Sequence, residues 1–390
     1  MPGYQSPGVY VEDVPSAVRP IAGVGTSTAG FVGVVANNVQ MPLVPGSVSD
    51  RYTVAPANQP RMVTNWGEFT RSFGDIQTGN SVLAHSVYGF FNNGGTRCWI
   101  TRVPGGTAAE TSTQLIAALD TFKPIDEIAI VAAPGQTDDA VQDAVVNHCA
   151  NEHLQDRFAI LDGDQAPATL TKADIQGGTD DSSYGAMYFP WLTVSDPLTG
   201  APVSVPPSGF VAGVYSRVDA ARGVHKAPAN EVIRGVTGVR TLVSREAQAG
   251  LNPTDINVIR QFDGSVVIWG AHTLAGQEDA QWRYVNVRRL FLYLRESIDE
   301  GLRWVVFEPN DASLWAKITR NVTAFLTNVW RSGALFGATP EEAFYVKCDA
   351  ETNPDDVRNA GQVVTQIGVA ITKPAEFVVF RISEWAGPGS

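Results

Sequence analysis

The chain has 390 residues, 44% of them hydrophobic and 17% charged. That is enough apolar mass for two or more domains. A formal net charge of −12 argues against free nucleic acid as a partner, because phosphate binding needs clustered Lys and Arg; one local basic surface remains compatible with it. Cys98, Cys149 and Cys348 lie far apart, with no CxxC and no disulfide framework, which points to synthesis in a reducing cytoplasm.

The opening MPGYQSPGVYVEDV has no basic or apolar signal-peptide region. No run of about 18 apolar residues follows anywhere, so no membrane insertion is expected. Residues 7–18, PGVYVEDVPSAV, set Val9, Tyr10, Val11 and Val14 between prolines, the pattern of an extended arm without a helix to cover it. The Gly-rich RPIAGVGTSTAGFVGVVA (19–36) reads as a tight turn in which Gly supplies positive φ, followed by a strand.

From 60 to 165 the pattern is α/β. A helix is expected over 80–92, with Leu83, Val87, Phe90 and Phe91 on one face and Gly94-Gly95 as its stop. RCWITRV (97–103), EIAIVAA (127–133) and RFAILD (157–162) are buried strands, and DDAVQDAVVNHCANEH (138–153) is an amphipathic helix with acids in its first turn. Strand, helix and strand with short links make a βαβ unit, so these strands should be parallel. Residues 163–209 look turn-rich and irregular, with one strand candidate at YGAMYFPWLTV. Two long helices follow. One covers QWRYVNVRRLFLYLRESIDEGLRW (281–304), with Tyr284, Val287, Phe291, Leu294, Ile298 and Leu302 as its stripe. The other covers 310–333, with Asp311 or Ser313 as cap and Gly333 as stop. Strands are expected at 343–349 and 362–371, and EFVVFRISEW (376–385) is a second extended terminal segment.

Candidate chemistry is sparse. A P-loop needs GxxxxGK and then Ser or Thr; Gly25 and Gly30 have the spacing, but Phe31 stands where Lys should be. A Rossmann turn needs GxGxxG, yet Thr28 occupies the third position. His148 and His153 are five apart, whereas a helical zinc pair is four apart. The acidic pairs Asp138-Asp139, Asp180-Asp181 and Asp355-Asp356 read as caps and solvated turns, and Asp162-Gly163-Asp164 closes a strand without EF-hand spacing. No GxSxG occurs. The competing function is an α/β enzyme with a nucleotide or metal site, but no residue is singled out as catalytic, metal-binding or cofactor-binding. Between Asp311 and Glu341 there is no acid, while Lys317, Arg320 and Arg331 are present. This helix is either simply solvated or faces an acidic partner.

Taken together, PGVYVEDVPSAVRPIAGVGTSTAGFVG, NEVIRGVTGVRTLVS (230–244), GSVVIWGAHTLAG (264–276), WRYVNVRRLFLYLRESIDEGLRWVVFEPND (282–311) and the final EFVVFRISEW resemble the tail sheath family of contractile phages, R-type pyocins and contractile injection systems. His272 stands where that family's WGxRTL motif commonly has Arg. The resemblance is strong over about 230–390 and the first 35 residues, and weak over about 40–225. It implies a mixed α/β and α+β fold: an N-terminal arm (1–22), an inserted peripheral α/β domain (23–225), a sheath core domain (226–373) and a C-terminal arm (374–390). It implies a long helix followed by a strand over 282–311. It also implies a structural subunit rather than an enzyme, without cofactor, that polymerises into a contractile sleeve around an inner tube. Expected partners are further copies, the tube protein, and baseplate and terminal cap proteins. Val9, Tyr10, Val11, Val14, Phe377, Val378, Val379, Phe380 and Ile382 are expected in the inter-subunit arms, and Lys317, Arg320 and Arg331 at the tube. Single-chain construction resembles pyocins and extracellular injection systems more than the two-protein type VI sheath.

Overall fold

A computed structural model describes residues 20–179, 181–276 and 279–379. Val9, Tyr10, Val11, Val14, Phe380 and Ile382 lie outside the described residues. By chain contacts the protein divides into two units, one formed by 23–296 with 371–379, the other by 297–370 with 20–22. In chain order the larger unit contains β1 (Ala29–Val34), β2 (Arg61–Val63), α1 (Trp66–Phe73), α2 (Ser81–Asn92), β3 (Cys98–Val103), α3 (Ala108–Leu119), β4 (Ile130–Ala132), α4 (Asp139–Ala150), β5 (Phe158–Asp162), α5 (Lys172–Gln176), β6 (Gly185–Phe189), β7 (Leu192–Ser195), β8 (Pro202–Val205), α6 (Ser208–Arg222), β9 (Glu231–Val232), β10 (Gly238–Val239), α7 (Arg245–Leu251), β11 (Ile256–Phe262) and β12 (Ser265–Ile268). The chain passes into the smaller unit along α8 (Val285–Leu302), followed there by α9 (Ala312–Arg331), α10 (Pro340–Ala343), β13 (Phe344–Lys347), α11 (Asp355–Asn359) and β14 (Gln366–Val369).

The larger unit is built on a 9-stranded sheet in the order β2-β3-β1-β4-β5-β6-β11-β12-β9. The run β3-β1-β4-β5-β6-β11 is parallel throughout, so the expected βαβ unit β4-α4-β5 is present. Alternation along each strand feeds two faces. Phe31, Phe158 and Ile160 join one apolar cluster with Leu83, Val87 and Phe90 of α2 and Phe210 and Val214 of α6. Val32, Ala159 and Leu161 join the other with Leu115 of α3 and Val141 and Val145 of α4. Helices therefore cover both faces of the parallel sheet, as its unbroken apolar strands require. α2 and α6 approach closely because α6 presents glycine: a Cβ on Gly213 would lie 2.4 Å from the Phe90 carbonyl oxygen.

Several expectations are corrected. The main sheet continues past 225: β6 pairs with β11, and β12 with β9, because β11 supplies the hydrogen-bond partners that β6 lacks on that edge. Residues 163–209 are not irregular; they hold β6, β7 and β8, with β6 wholly buried in the sheet. The strand expected after the long helix is instead a 3-10 turn, Arg303–Val305, and then Phe307 at φ +67°. The first turns of α8 are buried beyond the expected stripe, including Asn286, Arg288 and Arg289. Finally, Gly23, Gly25, Gly30 and Gly33 are not among the positive-φ residues. Three of them are instead closely approached: a Cβ on Gly23 would meet the Tyr293 hydroxyl at 2.1 Å, one on Gly30 the Phe122 ring at 3.0 Å and one on Gly33 Leu83 at 2.9 Å, whereas one on Gly25 would have nothing within 4 Å.

Candidate functional site: chain ends and a basic helix

The residues that hinted at catalysis have structural work to do. His148 is buried on α4 with Nε2 3.3 Å from Arg157 Nη1; burial and that guanidinium hold it down at about 4, so the ring is neutral. His153 is exposed beside Glu152, so the two histidines do not share a site. Among the described residues no group of three or more His, Cys, Asp or Glu is placed to hold a metal. Asp162, at the end of β5, accepts from the Gly135 amide at 2.9 Å and from the Ser208 amide and hydroxyl at 2.7 Å each. It ties the start of α6 to the sheet, satisfying an amide at the helix N-terminus.

The N-terminal segment is rooted on α8 and α6. Arg289 makes a two-pronged pair with Asp219, Nη2–Oδ2 2.6 Å and Nη1–Oδ1 3.0 Å. Thr26 completes it from the chain end: its hydroxyl donates to Asp219 at 2.6 Å and its carbonyl accepts from Arg289 at 2.8 Å. The guanidinium also lies 4.6 Å from the Tyr215 ring centre. Both charges are buried, and the bidentate geometry with additional hydrogen bonds is what makes a buried pair tolerable.

The C-terminal segment is rooted nearby in the same unit. The Glu376 carboxylate accepts from Asn252 Nδ2 at 2.7 Å, Tyr284 OH at 2.9 Å and His272 Nε2 at 3.1 Å. On its other side His272 Nδ1 lies 3.1 Å from the Asn252 carbonyl and 3.4 Å from Asp255 Oδ1. Burial opposes charge on His272, but the hydrogen bonds of Asp255 and Glu376 outweigh it and raise the imidazole to about 9. Burial also opposes the Glu376 charge, and the donors His272 and Asn252 overcome it, bringing the carboxyl to about 2. Immediately beyond this charged pair, Phe377, Val378 and Val379 belong to no sheet and are 75%, 69% and 76% exposed. The sequence showed the apolar arm but not its root, whose partners are separated by 104 residues in the case of His272 and Glu376. The one available signal was His272 itself, a cation-capable residue where Arg is common.

In the smaller unit, Asp311 caps α9 by accepting from the Leu314 amide at 2.8 Å, and Gly333 at φ +83° follows its end. Leu314, Ile318, Val322, Phe325, Leu326 and Val329 are all buried. Two indoles set the helix's rotation: Trp315 donates to Asn310 Oδ1 at 2.8 Å and Trp330 to the Gly337 carbonyl at 2.9 Å. The opposite face carries Lys317, half-buried, with Arg320 and Arg331 exposed; none of the three has an ion-pair partner among the described residues. Beside α9 in sequence, β13 and β14 form a two-stranded antiparallel ribbon with no further strand on either edge among the described residues.

Residues 108–274 match the phage tail sheath protein central domain, and residues 277–383 the phage tail sheath C-terminal domain. The first match runs across position 225, as the sheet does. The chain is 28% identical to the putative prophage major tail sheath protein of Pseudomonas aeruginosa (strain UCBPP-PA14) over 291 residues, 72% of this chain and 71% of that protein. It is similar to the sheath of the extracellular contractile injection system PVC in its contracted state, with TM-score 0.78 and 28% identity over 99% of each chain. It is also similar to the helical sheath of the anti-feeding prophage in its contracted state, with TM-score 0.76, 31% identity and coverage of 97% of this chain and 99% of that one. A match to a chain of that prophage's baseplate structure gives TM-score 0.76 and 30% identity, over 98% and 99% of the two chains. With both sheath domains matched in order and the fold shared along nearly the whole chain, the protein belongs to the contractile tail sheath family, as a structural sheath subunit and not an enzyme.

Proposed function

We propose that copies of this chain polymerise head to tail into a helical sleeve around an inner tube, linked by strands exchanged through their terminal arms, and that contraction of the sleeve drives the tube through a target envelope. The observation that carries this reading is the exposed, unpaired Phe377-Val378-Val379 directly after a firmly held Glu376. Backbone amides and carbonyls in such a segment need partners, and the open edges of β13 and β14 in another copy are suited to receive it. A heterologous contact of this kind builds open helices. Each added hydrogen bond contributes only about 1 kcal/mol net, so several per arm keep subunits joined while other contacts rearrange. The energy of contraction is a difference between two packings set at assembly, and no cofactor enters. Baseplate and terminal cap proteins bound the sleeve at its ends, with no role for nucleic acid or membrane insertion. The subunit is made in the cytoplasm and acts in a phage-tail-like particle.

Lys317, Arg320 and Arg331 on α9 are the contact to an acidic inner tube. Exposed pairs contribute roughly 0.2–1 kcal/mol each and weaken with salt, which suits a grip that contraction must release. Residues from about 40 to 225 form the outer surface of the sleeve. Deleting residues 375–390 tests the core of the reading: electron microscopy should show a folded protein unable to form tubes, and normal tubes would overturn it. Lys317→Glu with Arg320→Glu tests the tube contact, with empty contracted sheaths expected and extended, tube-filled particles at normal yield refuting it.

A further inference from the structure

We propose that Glu376 is the register-setting root of the C-terminal arm: by fixing one carboxylate, His272, Tyr284 and Asn252 determine which arm residues face which side of the strand they add to. The inference rests on the reading of this segment as an inter-subunit strand.

The grip is preorganised. His272 is 2% exposed, and its backbone is pinned on both sides by Asn257, whose Oδ1 accepts from the His272 amide at 2.6 Å and whose Nδ2 donates to its carbonyl at 2.7 Å. An isolated bridge joins His272 to Tyr284, whose rings meet edge to face at 5.5 Å. Asn252 arrives from the 3-10 turn that follows α7. Three separate stretches of chain thus converge on one side chain. The preceding residues are tied by Asn286 Nδ2 to the Thr372 carbonyl at 3.4 Å and by Lys373 Nζ to the Ala280 carbonyl at 3.0 Å, among other contacts. After Glu376, residues 377–379 make no hydrogen bond among the described residues. Glu376 is therefore the last fixed point of the described chain.

A strand's side chains alternate between faces, so a slip of one residue exchanges its entire apolar set. An apolar root would slide, because burial is non-directional; a carboxylate held by three donors from fixed directions does not. With Glu376 fixed, Phe377 and Val379 share one face and Val378 takes the other.

Three changes to the full chain test this: Glu376→Gln, insertion of one Ala between Glu376 and Phe377, and both together. Glu376→Gln keeps the shape and loses the charge. It should raise amide exchange across 371–376 about ten- to a hundredfold and slow assembly, followed by light scattering and electron microscopy. The insertion in the Glu376 background should block assembly by shifting the register. In the Glu376→Gln background the same insertion should add little, because a slack root lets the strand slip back. Insertion that is tolerated with Glu376 in place, or equally harmful in both backgrounds, overturns the proposal, as does unchanged exchange in Glu376→Gln. Deletion of 377–390 separates the two readings: if tubes still form, the arm reading fails independently of the exchange result.

Discussion

Asp219 offers a direct measure of how the N-terminal segment is held. Its two oxygens accept three hydrogen bonds, from Arg289 at 2.6 and 3.0 Å and from Thr26 at 2.6 Å, and the two charged side chains are 5% and 3% exposed. Asp219→Ala leaves the guanidinium buried, with the Thr26 carbonyl and the face of Tyr215 as its nearest company. Stranding one partner of such a pair costs about 3–5 kcal/mol. Replacing both, as Asp219→Leu with Arg289→Met, removes the stranded charge and should recover most of that loss. The double variant should therefore be more stable than Asp219→Ala alone. Urea unfolding followed by tryptophan fluorescence, with linear extrapolation, gives the numbers. A cost below about 1 kcal/mol for Asp219→Ala, or a double variant less stable than the single one, refutes the view that this pair is held by mutual compensation.

Gly213→Ala should destabilise by about 1–3 kcal/mol, since the new Cβ would stand 2.4 Å from the Phe90 carbonyl and force α2 and α6 apart; thermal unfolding reads the shift. The Glu376 root should be pH-dependent in a defined window. His272, raised from 6.5 to about 9, stabilises fully below about 6.5 and loses that contribution as pH rises through about 9. Glu376, lowered from 4.5 to about 2, stabilises fully above about 4.5 and loses its share as pH falls through about 2. Wild type minus Glu376→Gln should thus plateau between pH 4.5 and 6.5, at on the order of 3 kcal/mol for the pair as a whole, and a flat difference from pH 5 to 10 would contradict the charged pairing. Protease should cut assembled sheath at the exposed turn 196–200, around Leu198 at 60% exposure; protection there in the polymer would count against an outward position for this region.

Local pattern was enough for the elements that repeat within a few residues. The strand-helix-strand of β4-α4-β5 and the buried face of α9 follow from periodicity alone, because a side chain and its neighbour one turn on share an environment. Periodicity does not report helices covered on nearly every side. α6 is one: its glycines look like turn residues until α2 is seen packed on them. Nor does it report which strands meet. β6 finds β11 across two intervening helices and the strands of a separate three-stranded sheet, and that pairing carries the main sheet past 225. The same limit hid the roots of the arms. Exposed apolar residues at 377–379 were legible as a strand in want of a partner, but Glu376 was an unremarked acid in the sequence. Only the folded chain brings it to His272, Tyr284 and Asn252, because a hydrogen bond depends on distance and direction in space, which residues far apart in the chain acquire only when the fold places them.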